Sequence, residues 1–400
     1  MVFSSTVFIF LFLPVTLLGY WIIRDDFKNY WLLLVSLVFF AWAQPRYLWI
    51  ILVNILINYF FAVLLEKTKR KKIVLAVAVI LNLGLLFWFK YFDFTIDTFN
   101  RVFSRQRKLL NIVLPIGISF FTFQGMSYVI DVYRKDVAAQ KNPFKVALYI
   151  TLFPQLIAGP IVRYTDIAEE IESRKVTIED YAYGIERFII GLGKKAIIAN
   201  TMAACVDSIW NNGAGNIECL TAWAGSIAYT LQIYFDFSGY SDMAIGLGRM
   251  FGFHFCENFN LPYVSKSITE FWRRWHISLS SWFRDYVYIP LGGNRRFVYR
   301  NLIIVFFLTG MWHGAAWNFI AWGGYNAIFL LIERVIRKKR GKKDTTSHVL
   351  AVVKTIFTVF VVNIGLVLFR APSIGNAYKY IGNMFGFITP NRMARYLLWC

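Results

Sequence analysis

Residues 308–324, LTGMWHGAAWNFIAWGG, place a histidine, His313, inside a stretch that otherwise reads as lipid-soluble. The run from 301 to 332 holds no Asp, Glu, Lys or Arg and is bounded by Arg300 and Glu333. That is membrane territory, where an ionisable group is costly and needs a reason. The 32 uncharged residues exceed one simple crossing of about 20, so a bend or a second crossing is expected near His313. Gly310 and Gly314 flank it at small-xxx-small spacing, which allows close helix packing or a local break. A neutral, packed core histidine is the bland alternative. Histidine nevertheless trades a proton near neutral pH, and that makes this one a candidate for chemistry.

Working outward, the composition makes the whole chain an integral membrane protein. Of its 400 residues 58% are hydrophobic and only 16% are charged, more apolar surface than one soluble domain buries. Apolar runs at 7–23, 30–43, 47–65, 73–89, 109–130, 146–162 and 219–235 join 301–332 and 349–369. They predict an all-α, polytopic chain with roughly nine to eleven crossings or partial crossings, helical because lipid offers no partner to exposed backbone. The first run lacks a basic segment before it and leads through RDDFK into another apolar run, so it reads as a retained helix, not a cleaved signal. No repeat or low-complexity tract stands out, and residues 1–400 read as one membrane domain without a soluble appendage.

The net charge of +20 does not point to nucleic acid, because the cations sit in short segments between apolar runs. The positive-inside rule accounts for them and puts the basic loops 66–72 and 333–344 in the cytoplasm. The segment 90–108 is basic too, which leaves the full topology open. Cys205, Cys219, Cys256 and Cys400 form no CxxC pair, and no metal site is indicated. GLGRMFG (246–252) and GLGKK (191–195) miss the spacing of nucleotide-binding loops, and no G-x-S-x-G elbow is present.

Two other places carry polar groups in apolar surroundings. EFWRRWHISLSSWFRDYVYIPLGGNRR, residues 270–296, taken as one helix, gathers Arg273, His276, Ser280 and Arg284 within an arc of about 80°. Phe271, Trp272, Trp275, Leu279, Trp282, Phe283 and Tyr286 fall opposite. That pattern predicts an interfacial helix with its aromatics in the acyl boundary and its cations toward water or an interior funnel, where guanidinium groups suit phosphate. QIYFDFSGYSDMAIG, residues 232–246, sets Asp236 and Asp242 at the end of an expected span, as a polar helix end or as partners for buried cations. His276 and His313 then lie in segments of different character, one interfacial and one deep. A general base or proton relay is a better reading of them than a metal site.

FWRRWHISLSSWFRDYVYIPLGG, the WHG tripeptide, IYFDFSGYSDMAIG, PIGISFFTFQGMSYVIDVYR and FPQLIAGPIVRY together resemble the membrane-bound O-acyltransferase family. They are most similar to its bacterial branch that acetylates alginate and other exported polysaccharides, over nearly the whole chain. The resemblance implies a helical ring around a central funnel in the bacterial inner membrane, with interfacial or re-entrant helices. It makes His313 the deep catalytic histidine and His276 the second histidine of the signature. It also implies no bound cofactor, acetyl-CoA or another acyl thioester as donor substrate, a polysaccharide acceptor, and an extracytoplasmic esterase-like partner. For acyl transfer Arg273 and Arg274 are the candidates to hold donor phosphates, Asp236, one turn from Tyr240, to line a polar path, and Asn318 or the backbone near Gly314 to serve as oxyanion donor. Members of that branch usually continue past FRAPSIGNAYKYIGNMFGF with further helices, so a missing C-terminal part is expected here. D-alanyl transfer toward teichoic acid and a non-catalytic proton-coupled transporter are the alternative expectations.

Overall fold

The computed structural model describes residues 2–211, 217–340 and 347–387, and every regular element among them is helical. In chain order the principal helices of the first half are α1 (Phe8–Ile22), α2 (Lys28–Ala43), α3 (Pro45–Lys67), α4 (Lys71–Phe103), α5 (Ile118–Arg134), α6 (Pro143–Thr151) and α7 (Tyr164–Glu172). They are followed by α8 (Ile178–Trp210), α9 (Cys219–Met250), α10 (Ile268–Arg274), α11 (Ile277–Phe283), α12 (Val298–His313), α13 (Trp317–Arg340), α14 (His348–Arg370) and α15 (Ile374–Met384). Among the described residues, α3, α4, α8, α13 and α14 are long and apolar enough to cross a bilayer, and α1 is a shorter apolar helix.

Contacts divide the chain into one unit of Met1–Leu192 with Gly239–Glu257 and another of Gly193–Ser238 with Asn258–Cys400. In the first, α3, α4 and α5 pack together around three fully buried asparagines. Asn54 Nδ2 and Asn58 Nδ2 donate to Asn82 Oδ1 at 2.9 and 3.1 Å, and Asn82 Nδ2 donates to Asn58 Oδ1 at 3.0 Å. Amides satisfied by one another in this way hold apolar helices in register where hydrophobicity alone cannot. The early part of α8 meets the late part of α9 backbone to backbone. A Cβ on Gly184 would lie 2.7 Å from Gly246 O, and one on Gly191 2.6 Å from Gly239 O.

Several expectations are corrected here. The run 109–130 is irregular until Gly117, and α5 then lies almost wholly inside the protein. The run 146–162 breaks into α6 and the short turn Phe153–Leu156, both interior. A run of apolar residues looks the same whether it faces lipid or protein. Conversely α8 escaped notice because Arg187, Lys194 and Lys195 interrupt its hydropathy. Arg187 pairs with Asp242 at 2.7 Å and Glu257 at 2.6 Å, and Lys195 pairs with Asp236. Of the two expectations for Asp236 and Asp242, the pairing with cations is the one seen: α9 runs through both, and each answers a cation. The basic stretch 90–108 is helical as far as Phe103, with Lys90 Nζ donating to Ser119 Oγ at 2.9 Å. The stretch 333–340 is the last part of α13, and 341–344, like Cys400, lie outside the described residues.

Candidate active site

The site lies within the second unit and starts from the uncharged run. α12 stops at His313, residues 314–316 break the backbone, and α13 starts at Trp317 and packs back along α12, as the length of the run predicts. The approach is close enough to admit only hydrogen at two positions. A Cβ on Gly310 would lie 2.4 Å from the carbonyl oxygen of Phe319, and one on Gly323 would lie 2.3 Å from that of Phe306. This hairpin carries His313 at its apex, in the last turn of α12. The ring is half-buried and set edge-on to Trp312, Trp322 and Phe369, at centroid distances of 5.0, 5.1 and 5.1 Å. Trp322 comes from α13 and Phe369 from α14, so three helices fix one imidazole.

The single interfacial helix expected over 270–296 does not form. α10 begins at an S-x-x-E sequence in which Ser267 Oγ accepts from Glu270 N at 3.0 Å. The carboxylate of Glu333, on α13, accepts from Thr269 N and Thr269 Oγ1 at 2.9 and 2.8 Å. α10 ends after two turns, the chain turns at His276 with φ +45°, and α11 begins at Ile277. A left-handed residue is strained unless it is glycine, although histidine tolerates it better than most. The break undoes the helical arc: Arg273 and Arg284 are exposed, whereas His276 is only 1% exposed. The aromatics do not reach into lipid either, since Phe271, Trp275, Trp282, Phe283 and Tyr286 are all buried in the protein.

Within the protein the two histidines differ in enclosure. His276 is the enclosed one, packed edge-on against Phe237 at 4.6 Å and against Trp312 at 5.8 Å. Burial, and then the neighbouring His313, push its pKa well below the ordinary histidine value, so the ring is neutral. Trp312 stands against both imidazoles and joins them into one aromatic-walled site.

The remaining expected site residues are placed as follows. Arg273 and Arg284 line a cleft of about 430 Å³ walled by Trp272, Leu279, Phe283, Val305, Phe306 and Leu330. Arg284 is also paired with Asp285, at 2.6 Å. Arg274 is engaged by Glu270 at 2.9 Å and by the carbonyl of Asn260 at 3.2 Å. Asp236 holds Lys195. Asn318 is buried and its amide donates to Ala371 O at 3.0 Å, strapping the start of α13 to the end of α14. Sequence reasoning missed Trp322, Phe369 and Asn258. The first two look like any span aromatic, and Asn258 sits in a loop with no periodicity.

Residues 69–368, which include both histidines, match the sequence model of the MBOAT, membrane-bound O-acyltransferase family. A probable alginate O-acetylase of Pseudomonas aeruginosa is 44% identical over 403 residues, covering 97% of this chain and 76% of that protein. A peptidoglycan O-acetyltransferase of Helicobacter pylori is 38% identical over 424 residues, 96% of this chain and 80% of that protein. A teichoic acid D-alanyltransferase of Bacillus subtilis is 34% identical over a shorter stretch of 240 residues, 55% of this chain and 59% of that protein. The chain is a membrane protein that belongs to the membrane-bound O-acyltransferase family.

Proposed function

We propose that this protein transfers an acyl group, acetyl in the first instance, from a cytoplasmic thioester such as acetyl-CoA for O-acetylation of an exported or cell-surface polysaccharide. The two relatives above that span nearly the whole chain are named for O-acetylation, whereas the D-alanyltransferase match covers little more than half of it. The observation that carries the mechanism is the pair of imidazoles on one tryptophan, one of them enclosed and neutral, at the apex of a glycine-packed hairpin.

In this reading a ring nitrogen of His313 takes the proton of the acceptor hydroxyl as its oxygen attacks the thioester carbonyl. The carbon–sulfur bond then breaks, and the departing thiolate recovers the proton. The carbonyl end of α12 favours the positive charge that arrives on His313 with that proton. His276 completes the site by accepting a hydrogen bond or relaying the proton. Arg273, which has no ion-pair partner among the described residues, meets the anionic part of the donor at the mouth of the apolar cleft. Arg274, Asp236 and Asn318 support it by holding Glu270, Lys195 and Ala371 in place. The wider setting is one membrane-embedded domain in a bacterial inner membrane. It crosses nine to eleven times around a central funnel and hands the acyl group to an extracytoplasmic esterase-like partner.

The test is release of free thiol from acetyl-CoA by the purified protein with a hydroxyl acceptor. Loss of about 10²- to 10⁴-fold in His313→Ala, with membrane insertion and folding intact, is the expected result. Equal turnover in that variant removes His313 from the chemistry.

A further inference from the structure

Asn258 belongs to none of the motifs, yet it is fully buried and organises the turn at His276. Its carbonyl accepts from Ile277 N at 2.9 Å, and nearby Asn260 N donates to Arg274 O at 2.9 Å, which lashes the loop to the turn on both sides. Its side-chain oxygen accepts from Ser278 N at 3.2 Å and from Ser278 Oγ at 2.9 Å. A backbone N–H can only donate, so the amide atom facing Ser278 N is the oxygen and not the NH₂ group. The same oxygen lies 3.1 Å from His276 Nδ1. Since an amide oxygen only accepts, Nδ1 carries the proton, and a neutral imidazole then has its lone pair on Nε2. Nε2 makes no hydrogen bond to any described residue, in a ring walled by Phe237, Phe259 and Trp312. The titratable group that acts on it is His313.

We propose that Asn258 is a positioning residue: it holds His276 as the Nδ1–H tautomer and so presents Nε2 as the accepting atom of the acyl-transfer site. This rests on the reading of His276 as part of that site. The other tautomer would put an N–H at Nε2 and leave nothing there to accept a hydrogen bond or a proton. A second-sphere partner that fixes a histidine's tautomer is worth about 10- to 100-fold where such partners have been removed from metal sites, and more in a serine-protease triad.

The experiment is solid-state ¹⁵N NMR of the full chain labelled with [¹⁵N]histidine in lipid bilayers, beside the thiol-release assay. The His276 signals are identified by their loss in His276→Leu. The expected spectrum shows protonated Nδ1 and bare Nε2. Asn258→Leu populates the other tautomer and lowers turnover 10-fold or more. Asn258→Asp, which keeps the accepting oxygen, keeps the tautomer and moves the acid limb of the pH–rate profile upward, because a carboxylate favours the imidazolium. A protonated Nε2 in the wild type, or an unchanged tautomer in Asn258→Leu, overturns the proposal. If Asn258→Leu does not fold, the wild-type spectrum and the Asp variant decide it. Full activity of His276→Leu would refute the role of His276 itself, whereas a wrong tautomer with His276→Leu inactive refutes only the assignment to Asn258.

Discussion

Gly323 and Gly324 are adjacent on α13 and should respond oppositely to one methyl group. A Cβ on Gly323 would sit 2.3 Å from the Phe306 carbonyl oxygen and 3.4 Å from Gly310 Cα, whereas one on Gly324 meets nothing within 4 Å. Ordinary Cβ contacts begin near 3.4 Å, so Gly323→Ala forces α12 and α13 apart by about 1 Å. Overpacking of that kind costs about 1–3 kcal/mol. The same displacement moves His313 relative to Trp322 and Phe369, and a 1 Å misplacement of a reacting group costs on the order of 10²-fold in rate. Gly324→Ala should leave turnover unchanged and stabilise the helix by up to ~1 kcal/mol. The assay is thiol release from acetyl-CoA beside thermal unfolding in one detergent. Wild-type turnover in a folded Gly323→Ala protein would refute the claim that hairpin spacing positions the histidine.

Other outcomes follow from the same structure. Since burial lowers the His276 pKa below the ordinary 6.5, the unfolded chain binds a proton that the folded one refuses as pH falls below that value. The associated stability is complete above pH 6.5 and declines below it, by at most ~1.4 kcal/mol per pH unit. Melting temperature should therefore fall further between pH 7.5 and 5.5 in the wild type than in His276→Leu, and equal falls would count against a neutral buried ring. Asn82→Leu removes three bonds to Asn54 and Asn58, which at about 0.6 kcal/mol each in a membrane protein predicts a loss of roughly 2 kcal/mol, read from denaturant or thermal unfolding. Arg273→Gln should raise the KM for the thioester about tenfold with little change in kcat, and an unchanged KM would free the cleft from the donor.

Much of the architecture was legible because the membrane imposes it. The 301–332 run was too long for one crossing, so a bend or a second crossing near His313 was expected from its length, and the structure makes it a hairpin. Other segments were misread because hydropathy measures composition and not which surface a residue meets. α5 and α6 are apolar because protein surrounds them, and α8 is a long apolar helix despite Arg187 and Lys195, whose charges find carboxylates on α9. The 100° wheel drawn over 270–296 failed at one residue. A helix pattern holds only while the backbone stays helical, and His276 leaves it at φ +45°.

From sequence alone came the membrane class, the family and the two histidines, since composition, uncharged run length and signature motifs are properties of the chain itself. Which histidine is enclosed, what stands between them and which nitrogen accepts are not. Those depend on Asn258, Trp312, Trp322 and Phe369, up to 111 positions apart (369 − 258), meeting at two imidazoles. No local pattern encodes that meeting, because it is decided by how tightly glycine lets α12 approach α13 and by where α10 breaks.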